Sequence, residues 1–218
     1  MATALLQQEF ASILGGPHDW QSRPALEYAD SGIPEIRLPR GCLTEIFGPA
    51  SSGRTTLLYS ILATATERGE HCALVDGGDA FDPASAAEAG VRLDRILWIC
   101  CGKNGENLLK STDLLVQGGG FGVVAMDFAD MPVENARRIS LTSWFRLRRA
   151  VEHTPTILVA VGRQANAKTC ASLAVECRRE RAAWSGSRPA RLFRGIAARA
   201  TATERRRACT PVFTARAI

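Results

Sequence analysis

Thr44-Glu45-Ile46-Phe47-Gly48-Pro49-Ala50-Ser51-Ser52-Gly53-Arg54-Thr55-Thr56-Leu57-Leu58 runs from an apolar strand through a glycine-bounded loop into a helical pattern without a gap. Gly48 and Gly53 stand at the spacing of GxxxxGK(S/T), where glycines let the loop wrap back and aim backbone N–H groups into an anion-binding nest at a helix N-terminus. The nest is main chain, so Gly48, Pro49, Ala50, Ser51, Ser52, Gly53, Arg54, Thr55 and Thr56 read as a nucleotide-phosphate cradle. Thr55 stands where a hydroxyl ligates Mg²⁺, and Arg54 where the pattern has lysine. Lysine reaches phosphate as a compact point charge, whereas arginine is planar and forked. Nucleotide binding is therefore expected to survive better than hydrolysis. The alternative is a strand-turn-helix junction that binds nothing.

Outward from this loop, strand and helix patterns alternate. A short strand is expected near Ile33–Leu38, within a Gly/Pro/Ser-rich linker over residues 15–40. Cys42–Phe47 is the first strong strand, and a helix follows over Ser52–Arg68 with Leu57, Leu58, Ile61, Leu62 and Ala65 as its apolar stripe. Cys72–Asp76 reads as a strand buried on both faces, and Asp82-Pro83 as the cap and first residue of a helix reaching Glu88. A buried strand at Ile96–Cys101, a helix at Glu106–Gln117, a strand at Phe121–Asp127, one long helix over Pro132–His153 and a strand at Thr156–Val161 complete the alternation. This predicts an α/β fold with a mostly parallel central sheet flanked by helices. Beyond Gly162 the reading is a short helix at Ala167–Ala174, then two or three antiparallel edge strands with Val175, Cys177 and Arg179, and Phe193, Gly195 and Ala197, on their repeating faces. A disordered basic tail from about Ser185 is the rival reading.

The 218 residues, 46% hydrophobic and 22% charged, fit one globular domain with a full core. Residues 1–40 are read as an N-terminal helix and linker, and 41–218 as the core with a basic C-terminal segment. No apolar run of about 18 residues exists, so no membrane span is expected. The opening MATALLQQEFASIL reads as an amphipathic helix rather than a leader. Seven cysteines without a CxxC pair, most of them in apolar runs, suit a reduced cytoplasmic setting. Three scattered histidines offer no metal cluster.

The net charge of +5 hides an asymmetry: residues 1–109 carry 8 basic and 14 acidic side chains, residues 110–218 carry 19 and 8. A basic half suggests an acidic partner, nucleic acid first. Because 24 of the 27 basic residues are arginine, a solvated surface drawn from a biased composition is the competing account. The long helix places Arg146, Arg148 and Arg149 beside Trp144 and Phe145, and Arg178, Arg179 and Arg181 follow on the first edge strand. Arginines with interleaved aromatics meet phosphates and stack on bases. Alternatively Trp144, Phe145 and Leu147 fill the core and the arginines are merely solvated.

A second signal lies downstream. Val123-Val124-Ala125-Met126-Asp127 is four apolar residues closed by an acid, the element that orients the Mg²⁺ shell beside a phosphate cradle. Here the chain resembles bacterial RecA recombinases: Pro39–Leu57 looks like the opening of their core, and Val75-Asp76-Gly77-Gly78-Asp79-Ala80-Phe81-Asp82-Pro83 like the segment after their second core strand. The resemblance covers about residues 33–161. It implies a RecA-type core binding ATP with Mg²⁺, Thr55 and Asp127 serving the metal, and single-stranded DNA or DNA-repair proteins as partners, with homo-oligomers in prospect.

The departures bear on activity. Where the family has the glutamate that activates water, this chain has Gly78, and removing such a base costs orders of magnitude in rate. Asp79 stands one residue out of register, and Asp76 reads as support for its own loop. Gln164 is a candidate γ-phosphate sensor, also one residue out of place, and the DNA-gripping loop that follows it in the family is missing. Ser51-Ser52-Gly53-Arg54-Thr55 together with Lys168-Thr169-Cys170-Ala171-Ser172-Leu173-Ala174 resembles the ImuA group. That implies an accessory role in damage-induced, SOS-type translesion mutagenesis beside an error-prone polymerase complex. The expectation is a binding protein with little or no ATP hydrolysis; the alternatives are an active DNA-dependent ATPase and a paralogue that binds no nucleotide.

Overall fold

The computed structural model describes residues 26–187, 189–204 and 207–216, so the expected N-terminal helix lies outside the described residues. β1 (Tyr28–Asp30) and β2 (Arg37–Pro39) form a small antiparallel ribbon. The expected strand at 33–38 is thus shortened to its last residues. Pro34 and the left-handed Glu35 turn the chain just before it, and the partner strand β1 was not foreseen. Ala29, Ile36 and Leu38 sink into the main core, which docks this ribbon on the sheet.

β3 (Cys42–Phe47), α1 (Arg54–Glu67), β4 (Cys72–Asp76), α2 (Pro83–Glu88), β5 (Ile96–Cys100), α3 (Gly105–Gly118) and β6 (Val123–Asp127) follow in the expected order. The long helix is two: α4 (Val133–Arg137) and α5 (Leu141–Val151), with Ser140 Oγ accepting the Ser143 N–H to start the second. A serine offered mid-pattern competes for backbone donors and restarts the helix as an N-cap. β7 (Ile157–Gly162) closes the alternating part.

The large sheet runs β10-β9-β8-β3-β7-β6-β4-β5, with β11 also on β9. β3 to β7 are mutually parallel, as expected of an α/β fold. β5, anticipated as buried, is the edge strand among the described residues: its one neighbour there is β4, and Leu97, Trp98 and Cys100 are exposed. Apolar content reports burial, and no local pattern tells a terminal strand from a central one.

After β7 the anticipated helix at 167–174 is a 3₁₀ turn at Lys168–Cys170, and β8 (Leu173–Ser185) already begins at Leu173. β8 runs parallel to β3 over Leu173–Glu176 and antiparallel to β9 (Leu192–Glu204) along its length; β10 (Arg207–Cys209) and β11 (Val212–Arg216) pair with β9 in turn. A structured hairpin thus replaces the rival reading of disorder over these residues. On β9 the buried face is Ile196, Ala198, Ala200 and Ala202 rather than the odd-numbered set. A strand's two faces differ by one residue, and alanine on both leaves the register to packing.

The core has two halves. Leu57, Leu58, Ile61 and Leu62 of α1 pack on Ile46, Leu74 and Val159; Leu108, Trp144, Leu147 and Val151 of α3 and α5 pack on Leu43, Val124 and Leu158 across the sheet. Parallel strands covered on both sides point their loops the same way. The C-terminal ends of β3, β4, β6 and β7 therefore share one rim, in the register Asp76 beside Asp127, Asp127 beside Val161 and Phe47 beside Gly162.

Candidate functional site: a roofed phosphate cradle

Gly48 leaves β3 with its N–H on the Gly162 carbonyl of β7 (3.3 Å). The loop then turns through a left-handed Ser51 (φ 57°) and Gly53 (φ 92°), which stands at the N-cap of α1. Gly53 carries no capping side chain, and the N–H groups of Gly53, Arg54, Thr55 and Thr56 are the first-turn donors that no helical carbonyl serves. A helix N-terminus whose donors are free carries about half a unit of positive charge. Thr55 is exposed there, and Ser52 is buried with a hydroxyl that has no partner among the described residues. Ser51, Ser52, Gly53, Arg54, Thr55 and Thr56 line a cavity of about 230 Å³ whose opposite wall is Phe193, Gly195, Ile196 and Ala215.

That opposite wall comes from β9 and β11, so the C-terminal strands roof the cradle. They lie close: a Cβ on Gly53 would stand 2.8 Å from Ala198 Cβ and 3.0 Å from the Phe213 ring, and one on Gly48 would strike the Cys177 carbonyl. Pockets for whole drug-sized ligands run to about 300–1,000 Å³. At about 230 Å³ this cavity is smaller than those, of a size for a compact group rather than a drug-sized ligand. The loop and its donors suit an anion of that size.

Arg54 does not reach into the cavity as an extended side chain. It is 6% exposed, donates through Nη1 to the Gly48 carbonyl (2.5 Å), and brings Nη2 to 3.7 Å from Asp130 Oδ1. Its Nε has no acceptor among the described residues. Asp130 also receives Arg163, whose Nη2 lies 3.3 Å from Oδ1 while its Nε donates to the Ala129 carbonyl (2.6 Å). Two guanidiniums thus converge on one carboxylate at the rim. The fork that lysine lacks ties the cradle's first carbonyl to the loop after β6.

Asp127 ends β6 beside Asp76, accepting the Ala129 N–H (2.9 Å). Desolvation, with Asp130 and Asp76 adding repulsion against the pull of Arg54, pushes its carboxyl up to about 6. Asp76 is occupied with its own loop, accepting from the N–H groups of Gly78, Ala80 and Phe81 and from Trp98 Nε1. That is the supporting part the sequence assigned to it. Asp79, in a left-handed turn, is drawn away to the Gly102 N–H (3.1 Å).

Gly78 faces the Asp130 loop directly. A Cβ there would lie 2.9 Å from Asp130 Cβ and 3.2 and 3.3 Å from its backbone C and Cα. Chain fills the place where the resemblance puts a glutamate. Gln164 is exposed, with its carbonyl taken by Asn166 Nδ2. The turn after β7 is held from below instead: buried Glu45, its carboxyl raised by desolvation, accepts the N–H groups of Asn166 and Ala167 (2.6 and 2.9 Å). Neither Glu45, Asp130 nor Arg163 carried a role in the sequence reading. An acid inside an otherwise apolar strand is the local signal that could have pointed to the first.

Of the six arginines singled out for DNA or partner contact, three are engaged in ion pairs. Arg146 pairs with Asp113 of α3 (3.5 Å), Arg148 with Glu152 (3.5 Å) and Arg178 with Glu176 (2.7 Å). Arg149, Arg179 and Arg181 are exposed, with no ion pair among the described residues. Of the aromatics between them, Trp144 is buried against Phe128 as the core reading expected, whereas Phe145 is 43% exposed.

Among the described residues no helix is long and apolar enough to cross a membrane, and no His/Cys/Asp/Glu cluster is set to hold a metal. The family model of the RecA N-terminal domain matches residues 25–136, which takes in the cradle, both acid-ended strands and the Asp130 loop. Protein RecA of Pseudomonas fluorescens (strain SBW25) is 39% identical over 117 residues, 51% of this chain and 33% of that protein; Protein RecA of Pseudomonas tolaasii matches equally. For Protein RecA of Pseudomonas syringae pv. syringae the same identity covers 32%. The chain thus spans about a third of the length of the curated relatives it matches. With the cradle at the rim of a mostly parallel sheet and the matched segment covering half the sequence, this chain belongs to the RecA N-terminal domain family.

Proposed function

We propose that this protein is a RecA-like accessory of the DNA-damage response, of the ImuA type, that holds the phosphates of ATP at Gly48–Thr56 and turns them over slowly or not at all. The observation that carries the reading is Gly78 packed against the Asp130 backbone, in a site whose phosphate donors are kept. A rim without a water-activating carboxylate at that place loses general-base catalysis, whereas main-chain donors at a helix start still bind an anion.

In this reading Thr55 and Asp127 serve Mg²⁺, which supplies charge neutralisation on the phosphates when bound. An Asp127 carboxyl raised toward neutrality is eased by a cation and is costly without one. Arg54 neutralises phosphate only after leaving Gly48 and Asp130, so affinity is reduced by the cost of breaking those contacts. Arg146, Arg148, Arg149, Arg178, Arg179 and Arg181 meet single-stranded DNA or a partner in an error-prone polymerase complex. A cytoplasmic location and self-association go with that role.

The test is ATP binding by equilibrium titration and phosphate release, with and without single-stranded DNA, on the unmodified chain and on Arg54→Lys. Binding with turnover well below about one per minute is expected. DNA-stimulated turnover above that rate overturns the proposal in favour of an active ATPase of the recombinase type.

A further inference from the structure

The β8–β9 hairpin outruns the sheet that supports it. β8 pairs with β3 only as far as Glu176, and β11 follows β9 only to Gly195. The last rungs, Trp184 opposite Phe193 and Ser185 opposite Leu192, are therefore a two-stranded ribbon with no third strand among the described residues. A bare ribbon of this kind is marginal in water and is expected to be polar. This one instead carries Trp184, Leu192 and Phe193 at 51, 57 and 41% exposure.

The two aromatic rings stand edge to face with centroids 5.2 Å apart, and the Arg191 guanidinium lies 5.6 Å from the Trp184 ring. Arg194 donates to Ser185 Oγ (2.7 Å), and neither arginine has a carboxylate partner among the described residues. Over residues 177–203 the chain holds seven arginines and one glutamate, and that glutamate, Glu180, is taken by Arg199. None of these aromatics is needed by the core, and the charge around them is of one sign.

We infer that the hairpin tip is a stacking platform for single-stranded nucleic acid: Trp184 and Phe193 offer ring faces to unpaired bases, and Arg191 and Arg194 meet the flanking phosphates. Charge complementarity selects this occupant. A protein partner for an apolar patch is favoured by a neutral or mixed rim, whereas an aromatic pair ringed by unpaired arginines matches alternating bases and phosphates. Phe193 also forms part of the wall over the cradle, so the platform sits beside the phosphate site. The inference gives the proposed DNA contact its base-reading residues and requires no nucleotide in the cradle.

The experiment is fluorescence anisotropy of a labelled oligothymidine against the full chain, beside a duplex of equal length, without nucleotide. Trp184→Ala is expected to weaken the single strand about tenfold, Trp184→Phe to restore most of that, and the duplex to change little, because paired bases offer no faces. Arg191→Ala with Arg194→Ala should weaken both and flatten the salt dependence. Thermal melting of every variant should match the parent, as the tip lies outside the core. If Trp184→Ala binds the single strand like the parent while Arg149→Ala or Arg179→Ala weakens it, the platform falls and the wider DNA contact stands. Equal losses on single strand and duplex for Trp184→Ala, or DNA binding indifferent to every tip variant as for a protein-docking patch, also overturn the platform. If the parent binds no single strand, both readings fall.

Discussion

Adding a single methyl group at Gly78 tests whether the position has been closed. A Cβ there meets Asp130 Cβ at 2.9 Å and the Asp130 backbone at 3.2 and 3.3 Å, so no side-chain rotation relieves it and the loop after β6 has to move. Overpacking of this kind costs about 1–3 kcal/mol. For a chain of this size each kcal/mol lowers Tm by about 2–4 °C, so Gly78→Ala should melt about 2–12 °C below the parent. Gly78→Glu adds a carboxylate against Asp130, with Asp127 and Asp76 on the same rim. At a few ångströms and surface-like screening, with Arg54 and Arg163 offsetting part of it, this adds about 1 kcal/mol. The glutamate variant should thus melt below the alanine variant at pH 8, the gap narrowing toward pH 5 as Asp127 takes up its proton. It should release no more phosphate than the parent. Calorimetric melting of the three proteins at both pH values, with a phosphate assay alongside, decides it. An alanine variant melting within about 1 °C of the parent refutes the packing argument, and a glutamate variant that hydrolyses ATP refutes the view that position 78 is closed to a base.

Three further outcomes follow from the same rim. Asp127→Asn should stabilise the ligand-free protein above pH 6 by up to about 3 kcal/mol. The raised folded pKa means the native state binds the proton more tightly, so the parent loses stability as pH rises from about 4 to about 6 while the variant does not; melting curves across pH 4–8 that stay parallel would sink this. Asp130→Ala frees Arg54 and Arg163 from their shared carboxylate and should tighten triphosphate binding several-fold while shifting stability by less than about 1 kcal/mol, since Asp130 is half exposed; an unchanged or weaker Kd in a nucleotide titration is the contrary result. Glu45→Ala leaves the half-buried Asn166 and the buried Ala167 N–H groups unserved, and an unpaired buried donor costs about 1–3 kcal/mol. Hydrogen exchange should then speed up across residues 163–170 before anywhere else, and uniform exchange would count against it.

What the sequence by itself determined is the part that physics writes locally. The loop from Gly48 to Gly53, the strands ending in Asp76 and Asp127, and the Asp82-Pro83 helix start depend on backbone freedom, a capping carboxylate and runs of apolar residues a few positions long. Those readings put the glycine-bounded loop between the first strong strand and the helix that follows it. Where the sequence reading went astray, the deciding partner was distant in the chain. β5 carries the apolar run of a central strand but lies at the edge, and the buried face of β9 was settled by what lay beneath Ala198 and Ala200. The same holds for the site's condition. That Arg54 folds back onto Gly48 and Asp130, that Asp130 closes the place of Gly78, and that Phe213 and Ala198 roof Gly53 are contacts between residues 6 to 160 positions apart. A motif states which groups a cradle has available. Only the packing of the β6 loop and the C-terminal strands over it decides which of those groups are free to meet a phosphate.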